Sequence, residues 1–182
     1  MRKTRQNKSA GKRKPNVWGI RCEWEQINHR TALIGGAICV IVAVLCVLAI
    51  GSPLYARHML RLPNCMPPSW ALFFVGLIQY FLLGWCIAAL GKSASFVQIR
   101  ERLHSIALLV AVVLFRLMWY LLFFGAVRPV LALIALCIVL FLSCCALHQL
   151  FFLHKTVFLL NCLQMIWGAW LLVANVAVIF LN

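Results

Sequence analysis

The sequence predicts an all-α membrane protein, a bundle of five transmembrane helices. The 182-residue chain is 65% hydrophobic with a mean hydropathy of +0.99, whereas soluble domains are roughly 45–50% apolar. Its apolar residues fall into five runs, each long enough to cross about 30 Å of hydrocarbon as a helix. None of these runs alternates apolar and polar residues, as the strands of a membrane barrel do.

Residues 1–30 precede the first apolar run and are polar and basic, so they are predicted to form a mobile tail. The apolar run that follows is too long for the hydrophobic region of a signal peptide. Residues 31–182 are predicted to form one transmembrane domain. Its five helices are predicted at residues 32–54, 70–91, 105–126, 130–152 and 157–181.

Small residues mark helix surfaces that can approach each other closely. Small residues of the first helix recur at steps of three and four, namely Ala32, Gly36, Cys39, Ala43 and Cys46. The second helix has a similar stripe of Gly76, Gly84 and Ala88, with Tyr80 between them. In lipid, close van der Waals packing takes the place of the hydrophobic drive between helices. We interpret both stripes as packing seams, and a backbone opened for a ligand is the alternative.

The basic residues predict the orientation in the membrane. Nine of the seventeen Lys and Arg residues lie in the tail, and with those near later span ends thirteen face one side against three on the other. The positive-inside rule therefore places the N-terminus in the cytoplasm and Asn182 outside. We expect an integral multi-pass protein, in the cell membrane if the source is bacterial, whose basic tail meets anionic lipid.

The composition argues against several classes of function. Asp is absent and only three Glu residues occur, so paired-carboxylate catalysis and hard-metal cages lack their ligands. The positive charge is concentrated in the tail without interleaved aromatic residues, so no nucleic-acid partner is expected. Cys144 and His148 have a metal-ligand spacing, but no second cluster accompanies them, and no metal site is predicted.

Arg116 is the most costly residue of the chain in a membrane. It lies eleven residues into the third predicted span, with Trp119, Tyr120 and Phe123 on the same helical face. A mid-membrane arginine costs about 2.5–3.5 kcal/mol on insertion scales, and no predicted span contains an acid. Arg116 is expected either to bind an anionic ligand against the aromatic wall, or to bond carbonyls and amides of other helices. The amides in question are Gln79, Gln164 and Asn175.

The fifth span carries a stripe of polar residues on one face. Its members, at 100° per residue, are Asn161, Gln164, Gly168, Asn175 and Asn182. Such a stripe must face other helices or a cavity. Structural hydrogen bonding and a ligand-binding wall both fit this pattern.

Short motifs at the helix ends and along the fifth helix resemble those of a known family. They are Pro67-Pro68-Ser69-Trp70, Trp119 with Phe123-Phe124-Gly125, and Trp167 with Ala174-Asn175 and Leu181-Asn182. This order and spacing is similar to that of the TspO/MBR family, the tryptophan-rich sensory proteins related to the mitochondrial translocator protein. The resemblance covers roughly residues 55–182.

The chain departs from the family pattern at several pocket positions. Gly76 stands where the family usually has tryptophan, and Val112 and Arg116 replace a glutamine and an asparagine of the third helix. Leu163-Gln164 replaces a Pro-Tyr pair of the fifth helix. The scaffold motifs are therefore kept while the pocket has changed.

The resemblance implies a five-helix bundle, often a homodimer, whose pocket binds porphyrins and in some members sterols. With Arg116 added from the residues themselves, the predicted ligand-binding residues are Trp70, Tyr80, Arg116, Trp119, Phe123, Trp167 and Asn175. The predicted function is a membrane receptor or carrier for a flat, partly anionic hydrophobic ligand, a porphyrin or heme-type tetrapyrrole, with no obligatory cofactor. A structural or assembly protein without a ligand is the alternative. A porphyrin-degrading enzyme is the weakest alternative, and no catalytic residue is predicted.

Overall fold

The computed structural model describes residues 28–50, 60, 61, 63, 68–91 and 99–182, and these residues contain five long helices. They are α1 (His29–Ile50), α2 (Ser69–Gly91), α3 (Ile99–Tyr120), α4 (Pro129–Leu153) and α5 (Lys155–Leu181). Each is long and apolar enough to cross a membrane. The predicted five-span, all-helical fold is confirmed. The predicted mobile tail lies outside the described residues, apart from its last three positions.

The helix boundaries differ from the sequence prediction mainly at the starts of α1 and α3 and between α4 and α5. The α1 helix begins at His29 instead of residue 32, because the Asn28 Oδ1 accepts a hydrogen bond from the Thr31 N–H (3.4 Å) in the N-cap position. The predicted end of this helix at residue 54 lies outside the described residues. The α3 helix begins at Ile99 instead of residue 105, since charged residues end an apolar run without ending a helix. Between α4 and α5 the backbone is extended only at His154 (φ −159°, ψ 103°), where a longer gap was predicted.

The end of α3 widens into a π-helical turn at Leu121–Gly125. The Ala126 N–H donates to the Leu121 carbonyl (2.9 Å), and the Arg128 N–H donates to the Leu122 carbonyl (2.9 Å). Val127, at φ 53°, then turns the chain towards Pro129, the first residue of α4. Pro at this position needs no hydrogen-bond donor and has a preset helical φ.

Helices α2, α3, α4 and α5 form a ring, and α1 lies beside it. α2 contacts α3, α3 packs on α4, α4 packs on α5, and α5 contacts α2. α1 packs along α2 and touches the π-helical turn. Two buried apolar clusters fill this arrangement, one around Leu109 and Val157 and one around Trp119 and Phe123.

The α1–α2 contact is a packing seam of small residues, as predicted. A Cβ placed on Gly35 would lie 2.5 Å from the Ala88 Cβ, and one on Gly36 would lie 2.7 Å from the Phe81 ring. A Cβ on Gly84 would overlap the Gly35 carbonyl oxygen. Gly76 does not belong to this seam, because a Cβ there would meet no atom within 4 Å.

Candidate functional site

A cavity of about 50 Å³ lies where α1, α2, α3 and α5 meet. Its wall is mainly aromatic and aliphatic, and the Arg116 guanidinium is the only charged group that the described residues contribute to it. The aromatic residues that line it are Phe73, Tyr80, Trp119, Tyr120, Phe124 and Trp167. A water molecule needs roughly 10–15 Å³ of such volume, so the cavity has room for a few waters.

Arg116 is buried, with 5% of its surface exposed, and an amide is its hydrogen-bonding partner. Its Nη1 donates to the Gln164 Oε1 at 2.6 Å, and the Gln164 Nε2 donates to the Gln79 main-chain carbonyl at 2.8 Å. These two bonds join α3, α5 and α2. Hydrogen bonding to an amide, one of the two expectations for this residue, is therefore present.

The amide does not neutralise the charge of Arg116. The only acid among the described residues is Glu101, in the exposed first turn of α3. Fifteen residues of helix at 1.5 Å each separate it from Arg116 by about 22 Å along the axis. The guanidinium therefore carries its charge into an apolar, aromatic wall with no described carboxylate near it.

The aromatic wall follows from the spacing on α3. Residues three and four apart lie on one helical face, which places Trp119 and Tyr120 beside Arg116. Phe123 stacks on Trp119, with ring centroids 5.7 Å apart and planes at 26°. Phe124 meets Trp119 edge to face at 6.1 Å. Because Phe123 is 1% exposed and lies behind this wall, it supports Trp119 from the core.

Asn175, on α5, forms a hydrogen bond with the Trp119 indole. With its amide oriented so that both polar atoms have partners, its oxygen accepts from the Trp119 Nε1 (3.2 Å). Its nitrogen donates to the Pro129 carbonyl (3.1 Å), so the residue ties α5 to α3 and to the start of α4. Asn175 is 1% exposed and does not line the cavity.

The TspO/MBR family model matches residues 29–181. This chain belongs to the TspO/MBR family. The match extends the predicted resemblance, traced to about residues 55–182, through the whole of α1. It agrees with five apolar helices and makes the chain a multi-pass integral membrane protein. No curated protein matches the sequence.

Membership of the TspO/MBR family is consistent with a membrane receptor or carrier, and it names no ligand for this chain. The structure brings four of the seven predicted ligand-binding residues to one cavity. They are Tyr80, Arg116, Trp119 and Trp167. Phe123 and Asn175 lie behind the wall. Trp70 is 67% exposed at the start of α2 and is not part of the cavity lining.

The predicted ligand-binding residues do not include Gly76, Tyr120 and Phe124, although all three line the cavity. Helical spacing did place Tyr120 on the face of Arg116, four residues away. Gly76 could have been identified from the family's tryptophan at that position, since losing a large side chain leaves space. The position of Phe124 depends on the π-helical turn, for which the sequence carries no clear signal.

The remaining members of the α5 polar stripe contact other parts of the chain. The Asn161 Nδ2 donates to the Ser143 carbonyl of α4 at 3.3 Å. Gly168 allows close approach to Leu140, whose Cδ2 would lie 2.9 Å from an added Cβ. Asn182 bonds the main chain at Arg61. The stripe is thus largely structural, and Gln164 is the member that reaches the cavity region.

Within the described residues, no three His, Cys or acidic side chains come close enough to hold a metal ion. Cys137 and Cys144 are exposed on the outer face of α4.

Proposed function

We propose that this TspO/MBR protein is a membrane receptor or carrier for a flat, partly anionic hydrophobic ligand, a porphyrin or heme-type tetrapyrrole. The observation that carries this proposal is a buried Arg116 beside an aromatic wall, with an amide as its partner and no described acid near it. A ligand carboxylate would neutralise the guanidinium in a low-dielectric setting and form a charge-assisted hydrogen bond. Trp119, Tyr120 and Trp167 would contact the plane of the ring.

The cavity must widen to admit such a ligand. Sites for drug-sized molecules are about 300–1,000 Å³, whereas this cavity is about 50 Å³. Phe73 lines the cavity and is 41% exposed, so its ring can rotate outwards without breaking a buried contact. A Cβ added to Gly76 would meet no atom within 4 Å, so no side chain has to move there. We propose that α1 and α3 move apart on ligand entry, and that the cavity widens next to Phe73 and Gly76 of α2.

We propose binding without catalysis. Among the described residues, the titratable groups of the cavity lining are Tyr80, Arg116 and Tyr120, and none is a histidine, cysteine or carboxylate. A general acid or base working near neutral pH is usually one of those three kinds of group. We also propose that the protein needs no obligatory cofactor and that the tetrapyrrole is a ligand. The proposed partners are membrane lipid and a second copy of the chain.

The test compares a dicarboxylic porphyrin with its dimethyl ester, using quenching of Trp fluorescence in the detergent-purified protein. Arg116→Leu should weaken binding of the acid by about tenfold or more, because a charge-assisted hydrogen bond contributes about 1.5–3 kcal/mol. Binding of the ester should hardly change. Arg128→Leu is the matched control, since Arg128 is exposed in the N-cap position of α4 and is not among the residues that line the cavity.

A structural or assembly role without a ligand is the second candidate, and two observations favour it. The Arg116–Gln164 hydrogen bond is short at 2.6 Å, and the cavity is small. In that case Arg116→Leu would break the link between α3 and α5, lower the melting temperature and affect acid and ester alike. That result would reject the anion site.

A further inference from the structure

The buried charge of Arg116 has no counter-ion among the described residues. A guanidinium carries five N–H donors, and the hydrogen bond that the described residues accept from Arg116 leaves Nη1 for the Gln164 Oε1. That acceptor is a neutral amide, and the one described acid, Glu101, lies in the exposed first turn of α3. A buried charge without a partner of opposite sign is costly in a low-dielectric setting. The guanidinium therefore favours an anion beside it, with or without a porphyrin.

The cavity has the size of a small ion. Arg116 lines it, whereas Gln164 is not among the lining residues, so an ion in the cavity can contact the guanidinium without displacing the amide. The cavity is about 50 Å³, and a water molecule needs roughly 10–15 Å³ of such volume. A chloride ion is little larger than water. It therefore fits the cavity as it stands, whereas a porphyrin requires the cavity to widen.

The chemistry of the wall suits an anion with one negative charge. Tyr80 and Tyr120 line the cavity, and their hydroxyl groups can donate a hydrogen bond to an anion. Aromatic rings also carry a positive edge, which attracts anions. Because the described lining contributes one positive charge, a divalent ion would leave a negative charge unbalanced among apolar side chains. Fluoride is disfavoured for another reason, since it loses more hydration energy than chloride or bromide.

We propose that the Arg116 cavity binds one small monovalent anion, chloride, when no porphyrin is present. This inference rests on the proposed function in one respect, the use of Arg116 as an anion site, and it does not require a tetrapyrrole ligand. A porphyrin carboxylate has to displace the chloride to reach the guanidinium. Chloride concentration therefore regulates the affinity for an acidic ligand and leaves the affinity for a neutral one unchanged.

Chloride NMR on the detergent-purified full chain, without porphyrin, tests the site directly. Chloride that exchanges with a protein site has a broader line than free chloride. With ionic strength held constant by gluconate, the unmodified protein should give a saturable broadening that added bromide reverses. Arg116→Leu should remove this broadening. Arg128→Leu, which changes an exposed arginine in the N-cap position of α4, should retain it.

A second variant is needed because Arg116→Leu also removes the hydrogen bond to Gln164. Gly76→Trp fills the cavity from α2 and leaves that bond in place, since a Cβ at Gly76 meets no atom within 4 Å. It should remove the saturable broadening as well. Broadening that persists in either variant would place the chloride outside the cavity or away from Arg116, and would overturn the proposal. An unmodified protein without saturable broadening would hold water alone, which overturns it too.

Competition with porphyrin separates this proposal from the proposed function. Chloride at about ten times its own dissociation constant should weaken binding of the dicarboxylic porphyrin about tenfold and leave binding of the dimethyl ester unchanged. Binding of the acid that does not depend on chloride would contradict displacement at Arg116. Saturable chloride broadening with equal binding of acid and ester would reject the anionic porphyrin and keep the chloride site. A preference of Arg116 for the acid without chloride broadening would do the reverse.

Discussion

Gly76 shows how one missing side chain can determine whether a cavity exists. It lines the Arg116 cavity, and an added Cβ would meet no atom within 4 Å. Gly76→Trp should therefore fill the space without disturbing helix packing. We expect loss of porphyrin binding with little change in melting temperature, both measured on the same preparation.

The control for that variant is Phe141→Trp, which places a new indole on the exposed face of α4. It should leave binding unchanged, and it corrects for the fluorescence of an added tryptophan. Porphyrin binding retained in full by Gly76→Trp would show that the ligand lies elsewhere on the protein.

Gly84 has the opposite environment. Its α-carbon faces the Gly35 carbonyl and the Cys39 side chain across the α1–α2 seam. Gly84→Ala should force α1 away from α2 and destabilise the bundle by about 1–3 kcal/mol, as overpacking does in tight cores. Thermal unfolding in detergent measures this, with Gly91→Ala as the control because an added Cβ there meets no atom within 4 Å. Equal melting temperatures for the two variants would contradict the seam.

At the scale of residues, the sequence identified Arg116 as a functional candidate, but it did not identify the residue that Arg116 contacts. The cost of Arg116 in lipid could be read directly, because its position in an apolar run is enough. Its partner could not, since Gln79, Gln164 and Asn175 were equally available on other spans. Asn175 proved to bind Trp119, and only the relative rotation of α3 and α5 decides between these pairings.

At the scale of elements, Asn182 fastens Arg61, which stands between α1 and α2 in the sequence, to the end of α5. Its Oδ1 accepts from the Arg61 N–H at 2.8 Å, and its Nδ2 donates to the Arg61 carbonyl at 3.0 Å. The neighbouring Leu60 is 9% exposed and packs in the apolar cluster of Trp119 and Phe123. Leu60 and Arg61 thereby lie at the end of the bundle next to the aromatic wall.

Asn182→Ala should free Arg61 and the neighbouring Leu60, because it removes both bonds to the main chain of Arg61. We expect faster amide hydrogen exchange at residues 60–61, with a melting temperature close to that of the unmodified protein. Asn161→Ala is the matched control, since it removes an interhelical amide bond between α5 and α4 without touching Arg61. Unchanged exchange at residues 60–61 in Asn182→Ala would contradict this role.

The helices themselves were predictable to within a few residues, because hydrophobic length in a bilayer is a strong signal. The early start of α3 was not, since Arg100, Glu101 and Arg102 end the apolar run while they continue the helix. The π-helical turn was not predictable either. Leu121–Gly125 continue the apolar run of α3, so nothing in the sequence marks the wider hydrogen-bond spacing there.

At the scale of the whole molecule, the ring of α2, α3, α4 and α5 with α1 beside it could not be derived from the five spans. In lipid all apolar faces are similar, so close steric fit decides which helices meet. The stripes of small residues in α1 and α2 identified one such pair. The antiparallel order of the spans then places Arg61 and Asn182 at one end, and Ser105 and Gln149 towards the other.

The orientation of this bundle in its membrane is the last prediction. Thirteen basic residues flank one side and three the other, so the positive-inside rule predicts a cytoplasmic N-terminus. Cys22 precedes α1 and Cys65 precedes α2, so one span separates them and they must face opposite sides. A membrane-impermeant maleimide applied to intact cells should label Cys65, and should reach Cys22 only after permeabilisation. Cys22→Ser and Cys65→Ser assign each signal, because the other seven cysteines lie within the helices. Labelling of Cys22 alone in intact cells would reverse the orientation, whereas the five-helix fold would stand.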